Sequence, residues 1–168
     1  MVVKIHTLEE VYKLHINDLY LYLLKLSGHP QTAEDLVQDT FIKAYEHLES
    51  YRGEKVRPWL FRVAHNAYID WYRKEKRSVH TEPHLLEALN KDLDMGPEEK
   101  YITKEKLNRW LTALRVLPEK SRQVILLRDY YDFTYQEISE ILKTNLSSVK
   151  VTLYRARQKV KEVMKNEL

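Results

Sequence analysis

With 168 residues, 43% of them hydrophobic, the chain can form one domain or two small ones around a buried core. Its 3 glycines and 32% of charged residues favour helices with solvated faces, and the net charge of +3 combines an acidic middle with a basic end. The absence of cysteine excludes disulfides and thiolate chemistry, while the lack of a signal-peptide pattern or of an apolar run of roughly 18 residues predicts a cytoplasmic protein without membrane insertion.

Two amphipathic helices are predicted at the start of the chain. Apolar residues recur at helical spacing from Leu8 to Leu26, and Gly28 is suited to the left-handed backbone that ends a helix. Pro30 cannot continue this first helix. We therefore expect the second helix to begin at Thr32.

The second helix has an apolar and a polar face. Tyr45 belongs to the apolar stripe and is expected in the core. Phe41 lies at the edge of that stripe, so core packing and an interface contact are equally open for it. The polar face could be a docking surface or a solvated helix surface, and it consists of Glu34, Asp35, Gln38, Asp39 and Lys43.

A loop over residues 51–57 leads into a third helix. Pro58 fits its first position, where the missing amide costs nothing. Apolar spacing continues from Trp59 to Trp71, and both tryptophans are expected in the core rather than as stacking platforms. The three helices predict one helical domain over residues 4–78.

Residues 79–103 show no sustained periodicity and are predicted to form a flexible linker. Between positions 82 and 99 the acids outnumber the bases, with Glu82, Glu87, Asp92, Asp94, Glu98 and Glu99 against Lys91. Helical spacing then resumes and predicts a second domain over residues 104–166. The fold class is therefore all-α, with two small helical domains joined by a flexible acidic linker.

The last two predicted helices have the form of a helix-turn-helix. Thr134 and Glu137 are spaced as a capping box that opens a short helix. A turn over residues 143–145 follows, and Asn145 or Ser147 is expected to cap a longer helix. The second helix of such a motif enters the major groove of DNA.

The longer helix is strongly basic. A helical hairpin with a solvated cationic face would show the same pattern, so the pattern favours DNA binding without establishing it. From position 143 to 165 one acid, Glu162, stands against Lys143, Lys150, Arg155, Arg157, Lys159, Lys161 and Lys165.

Nothing in the sequence predicts catalysis. None of the 7 histidines has a glutamate three residues before it, as helical di-iron sites require. His80 and His84 are four apart, but they lie in the proline-containing linker. The glycines are too far apart for a phosphate-binding loop, and no serine has a nucleophile context. We expect no enzyme activity, no catalytic residue, no metal and no cofactor.

Four motifs, in order along nearly the whole chain, resemble the extracytoplasmic-function (ECF) class of bacterial RNA polymerase sigma factors. Residues 33–41 resemble the polymerase-binding helix of that family, and residues 57–66 resemble its helix for the −10 promoter element. Residues 117–125 and 135–138 resemble its C-terminal domain, and residues 148–157 its −35 helix. Each motif is weak alone, but four in order are specific.

The resemblance implies an interface with the clamp helices of the polymerase largest subunit and another with the −10 element, where the loop over residues 51–57 would capture a flipped base. The polymerase-binding residues would be Glu34, Asp35, Gln38, Asp39 and Phe41. The −10 contacts would be Tyr51, Arg52, Arg57, Arg62, Asn66, Asp70, Arg73, Lys74, Lys76 and Arg77.

The resemblance also implies −35 contacts on the last helix. Arg155 could donate two hydrogen bonds to a guanine, whereas Arg128, Arg157 and Lys159 would hold phosphates. Two departures leave the −35 sequence open, because the family often has a small polar residue at Val151 and an arginine at Thr152. The −35 contacts would be Arg128, Lys150, Val151, Tyr154, Arg155, Arg157 and Lys159.

The expected partners are core RNA polymerase, promoter DNA and an anti-sigma factor of the kind that is often membrane-anchored. An alternative is a stand-alone helix-turn-helix regulator that does not bind polymerase. That alternative leaves the acidic second helix and the Asn66 helix without a role. A helical adaptor that binds only proteins would show no DNA-dependent activity.

Overall fold

The computed structural model describes residues 7–47, 51, 55–75 and 97–166, with the backbone alone for 97–103. Within these ranges every regular element is a helix, which confirms the all-α prediction. The chain divides into two compact units, Met1–Leu85 and Leu86–Leu168. Three of the predicted −10 contacts, Arg52, Lys76 and Arg77, lie outside the described residues, as does the linker prediction before residue 97.

The described residues of the first unit form α1 (Leu8–Ser27), α2 (Pro30–Glu46) and α3 (Val56–Glu75). Each helix packs against the other two. A hydrogen bond between the Tyr22 hydroxyl and the His65 Nδ1, 3.3 Å apart, adds a buried polar contact between α1 and α3. The buried core includes Leu19, Tyr22, Leu23, Leu60, Phe61 and Tyr68.

The connection between α1 and α2 corrects one sequence prediction. Gly28 ends α1 in the left-handed conformation that the sequence predicts, with φ 76°. Its amide donates to the Leu24 carbonyl. However, α2 begins at Pro30 and not at Thr32, with His29 in the capping position. The first turn of a helix leaves its amides unpaired, so a proline that cannot continue α1 can still open α2.

The described part of the second unit contains four α-helices and two short connecting turns. The helices are α4 (Pro97–Ala113), α5 (Glu119–Ile125), α6 (Tyr135–Leu142) and α7 (Leu146–Asn166), with a 3₁₀ turn at Leu114–Val116 and a π-helical turn at Leu126–Tyr130. Helix α4 thus begins inside the stretch predicted as linker. The buried core includes Val124, Ile125, Leu127, Ile138, Val149 and Leu153.

The turn between α6 and α7 has the geometry of a helix-turn-helix. Thr134 and Glu137 form the predicted capping box, in which each side chain accepts from the other residue's amide. Lys143 ends α6 in the left-handed region, with φ 54°. The Ser148 amide donates to the Asn145 side-chain oxygen at 2.7 Å, which decides between the two predicted caps in favour of Asn145.

Candidate protein and nucleic-acid interfaces

The polar face of α2 is presented to solvent. Glu34, Asp35 and Gln38 are exposed, and Asp39 is half-buried. They share this face because Ala33, Leu36, Val37, Thr40 and Ala44 occupy the buried side of the helix. Asp35 accepts a hydrogen bond from the Gln31 side-chain amide at 3.1 Å, which leaves its second carboxylate oxygen for a partner. The predicted docking residues therefore form one acidic strip on a rigid helix.

Phe41 and Tyr45 occupy opposite environments. Phe41 is only 8% exposed and packs edge-on against Tyr12, with ring centroids 4.8 Å apart. The sequence left core packing and an interface contact open for Phe41, and the structure shows core packing. Tyr45 is 67% exposed, and its prediction as a core residue was wrong. It lies on the same side of α2 as Gln38 and the exposed Ile42, because these positions are three or four residues apart.

Lys43 connects α2 to α3 and was not among the predicted site residues. Its ammonium lies 3.0 Å from an Asp39 carboxylate oxygen and 3.7 Å from one of Asp70. Asp39 is a predicted polymerase contact and Asp70 a predicted −10 contact, so one cation joins the two predicted surfaces. The spacing from Asp39 to Lys43 is a signal for the first of these pairs, whereas the Asp70 contact depends on how α2 packs against α3.

The described part of the predicted −10 region combines internal contacts with exposed cations. Arg57 lies 3.9 Å from the Asp18 carboxylate on α1 and over the Phe61 ring at 5.4 Å. Tyr51 packs edge-on against Trp59, with ring centroids 5.1 Å apart. These three contacts hold Tyr51 and the first turn of α3 in place.

Helix α3 itself displays the remaining predicted −10 residues on one side. Asn66 and Arg62 are half-buried, while Arg73 and Lys74 in the last turn are exposed. The opposite side supplies core residues such as Leu60, Ala64 and Tyr68. Trp59 is buried as predicted, whereas Trp71 is only half-buried. The amide of Asn66 therefore stands one turn before Asp70 on a partly accessible surface.

Helix α7 buries one stripe and exposes the other. Val149, Leu153, Ala156 and Val160 are buried. The exposed stripe carries four of the predicted −35 contacts, Lys150, Val151, Tyr154 and Arg155. Lys159 is exposed two turns after Val151 and pairs weakly with Glu162 at 3.9 Å. The surface of α7 that the sequence predicted to bind DNA is thus continuous.

Arg128 and Arg157, both predicted to hold phosphates, are engaged within the second unit. Arg128 donates to the Phe133 carbonyl at 2.8 Å and lies over the Tyr135 ring at 4.8 Å. Arg157 makes a two-point contact with the Asp129 carboxylate, including Nε to Oδ2 at 3.0 Å, and this bond raises the pKa of its guanidinium. Arg128 thus supports the loop before α6, and Arg157 joins α7 to the π-helical turn.

No group of three or more histidine, aspartate or glutamate side chains in the described ranges is arranged as a metal site. No helix in the part of the chain that the structure describes is both long and apolar enough to cross a membrane.

A helical unit with an acidic face and a helix-turn-helix unit with a basic outer face define a DNA-binding transcription protein. Residues 11–78 match the family model for Sigma-70 region 2, and residues 107–160 match that for Sigma-70, region 4. The ECF RNA polymerase sigma factor SigM of Bacillus subtilis (strain 168) is 37% identical over 155 residues, which cover 92% of this chain and 93% of SigM. The chain belongs to the ECF family of RNA polymerase sigma factors.

Two further comparisons agree with this family. The RNA polymerase sigma factor YlaC of Bacillus subtilis (strain 168) is 35% identical over 159 residues, covering 94% of this chain and 92% of YlaC. The crystal structure of the sigma factor RpoE with the anti-sigma factor NepR from Bartonella quintana is similar over 94% of this chain and 96% of that chain, with a TM-score of 0.72 and 25% identity.

Proposed function

We propose that this chain binds core RNA polymerase through α2, recognises the −10 element with α3 and the −35 element with α7, and so directs transcription initiation. The polymerase supplies the chemistry, and the chain itself catalyses no reaction. Its first domain would extend over residues 4–78, its linker over 79–103 and its second domain over 104–166, with the last residues of the linker already part of α4. Because its partners are polymerase and chromosomal DNA, we expect it to act in the cytoplasm.

The observation that carries the proposal is the opposite chemistry of two exposed helix faces in separate units. The acidic strip of α2 suits a basic protein surface and would be repelled by DNA phosphates. The cationic face of α7 suits DNA. A stand-alone DNA-binding regulator would have no use for the strip of Glu34, Asp35 and Gln38.

Helix α3 supplies what strand separation requires. Extruding a base from a duplex costs a few kcal/mol, which a protein offsets with a pocket and with cations along the strand. Asn66 can donate to and accept from a base edge. Arg73 and Lys74 are exposed about two turns beyond it, where they can hold the phosphates of a melted strand. Arg57 and Tyr51 would act mainly by holding the start of α3 in position.

On α7 the proposed −35 contacts divide into two classes. Lys150, Val151, Tyr154 and Arg155 stand in the N-terminal half of the exposed face, the part of a recognition helix that contacts base edges. Lys159 lies further along, where contacts to the sugar–phosphate backbone are expected. Arg128 and Arg157 would act on DNA indirectly, by holding the helix-turn-helix in shape.

We also propose an anti-sigma partner. The Bartonella quintana RpoE was solved in complex with the anti-sigma factor NepR, and this chain has the same fold over nearly its whole length. An inhibitor of this kind would have to cover the α2 strip or the α7 face to block activity.

A reversal of charge on α2 tests the polymerase interface. Asp35 is exposed and its one described contact is to Gln31, so Asp35→Arg changes the docking surface without disturbing the core. We expect at least a ten-fold loss of core polymerase capture and of run-off transcription, because like charges across an interface cost several kcal/mol. Glu9→Arg on α1, also an exposed acid, is the matched control and should retain both activities.

Three outcomes separate the alternatives. Loss of capture and transcription for Asp35→Arg alone supports the proposal. DNA binding without polymerase capture by the wild-type chain would instead favour a stand-alone regulator. Equal losses for Asp35→Arg and Glu9→Arg would show that charge reversal acts on folding and not on a docking surface.

A further inference from the structure

Two exposed apolar side chains stand among the cations of α7. Val151 is 48% exposed and Tyr154 is 67% exposed. With about 3.6 residues per turn, both fall on the side opposite the buried Val149 and Leu153. Val151 therefore lies near the middle of the face that the proposed function turns toward the major groove.

Helix formation does not account for an exposed valine at this position. Valine is β-branched and is a weaker helix former than the alanine, lysine or glutamine that an exposed position could carry. Isolated apolar residues are common on protein surfaces. Val151 is not isolated, because Tyr154 is one turn away and Lys150 and Arg155 lie on either side. Among the described residues, neither of these two cations has an ion pair with another side chain.

The major groove offers one apolar feature that a valine can contact, the C5-methyl group of thymine, because the other base edges present hydrogen-bond donors and acceptors. The cations on either side of Val151 suit phosphates and guanine edges. If they contact DNA in this way, Val151 between them faces the edge of a base. We infer that Val151 contacts the C5-methyl group of one thymine in the −35 element, which makes that A·T pair a determinant of promoter choice. This inference rests on the proposed role of α7.

Deoxyuridine tests the contact directly, because it differs from thymidine only by the missing methyl group. Holoenzyme is reconstituted from the full chain and core polymerase, and its promoter is identified by sequencing the transcript starts that overexpression produces. Each thymine of the −35 element, on either strand, is then replaced singly. At one position we expect the uracil duplex to bind about four-fold more weakly than the thymine duplex, because this is the effect of burying one methyl-sized group. No loss at any position, or equal losses at all, would overturn the inference.

A substitution in the protein assigns the effect to Val151. Val151→Ser removes the apolar contact at an exposed position, so it should bind the thymine and uracil duplexes equally. Gln158→Ala, an exposed change on the same side of α7, should keep the four-fold difference. A methyl effect that persists in Val151→Ser contradicts the assignment to Val151.

The experiment also separates this inference from the proposed function. If holoenzyme binds the unmodified promoter no better than core polymerase alone, the proposed function fails and the inference fails with it. If holoenzyme binds and initiates but ignores every −35 methyl group, or if its −35 element holds no A·T pair, the inference alone fails.

Discussion

At the scale of single residues, Lys25 has the most unusual environment in the first unit. It lies in the last turn of α1 and is only 3% exposed. Burial lowers the pKa of its ammonium from 10.5 to about 7, although the negative charge of Asp18 opposes the change. Lys25 is thus a charge that the fold accommodates at a cost in stability.

Replacing Lys25 by methionine should stabilise the protein in a pH-dependent way. Between about pH 7 and 10.5 the unfolded chain holds the Lys25 proton more tightly than the folded chain, so the free energy of unfolding of the wild type rises with pH across that window. Lys25→Met should therefore add about 2–4 kcal/mol of stability near pH 7 and less near pH 10. Urea unfolding at both pH values measures this difference.

Lys13→Met on the same helix is the matched control. Lys13 is exposed and pairs with Glu9 at 3.2 Å, so its removal should change stability little and equally at the two pH values. The interpretation of Lys25 is wrong if the two variants respond to pH alike.

At the scale of elements, local patterns predicted the helices well, whereas their packing could not be predicted. The capping box at Thr134 was predictable because its two partners are three residues apart and need no tertiary contact. Tyr45 was misplaced because a wide apolar stripe does not indicate which of its edges the neighbouring helix covers. Pro30 was misplaced because a proline can both end one helix and begin the next.

The helix-turn-helix turn offers a test of its own geometry. The Asn145 side chain accepts from the Ser148 amide, while Ser147 is exposed and has no such cap contact among the described residues. Asn145→Ala should therefore cost about 1 kcal/mol of stability, the usual value of a capping side chain, and Ser147→Ala should cost far less. Thermal unfolding of the two variants measures the difference. Equal destabilisation would show that Ser147 shares the capping role.

At the scale of the whole molecule, the sequence showed the separation of charge along the chain but not which charges are used internally. The acidic strip and the basic stripe follow from helical spacing. The two-point contact of Arg157 with Asp129 joins residues 28 positions apart, and no local pattern indicates it. Arg128 likewise donates across a loop whose left-handed Asp132, with φ 59°, the sequence did not predict. The candidate DNA surface was therefore predictable from the sequence, whereas the internal contacts of Arg128 and Arg157 required the fold.

The proposed DNA contacts of α7 predict different promoter responses for one arginine variant and one lysine variant. Arg155 lies in the part of the exposed face that we propose contacts bases, and it can donate two hydrogen bonds to a guanine. Arg155→Ala should therefore cost roughly 1–3 kcal/mol at one −35 base pair and little where that pair is already changed. Lys159 lies among the phosphate-directed positions, so Lys159→Ala should weaken all promoters alike and reduce the slope of log affinity against log salt by about 1. Holoenzyme binding to wild-type and mutated −35 duplexes over a salt series measures both effects. If Arg155→Ala loses the same factor on both duplexes, then Arg155 holds a phosphate and the base recognition of α7 belongs to its other exposed residues.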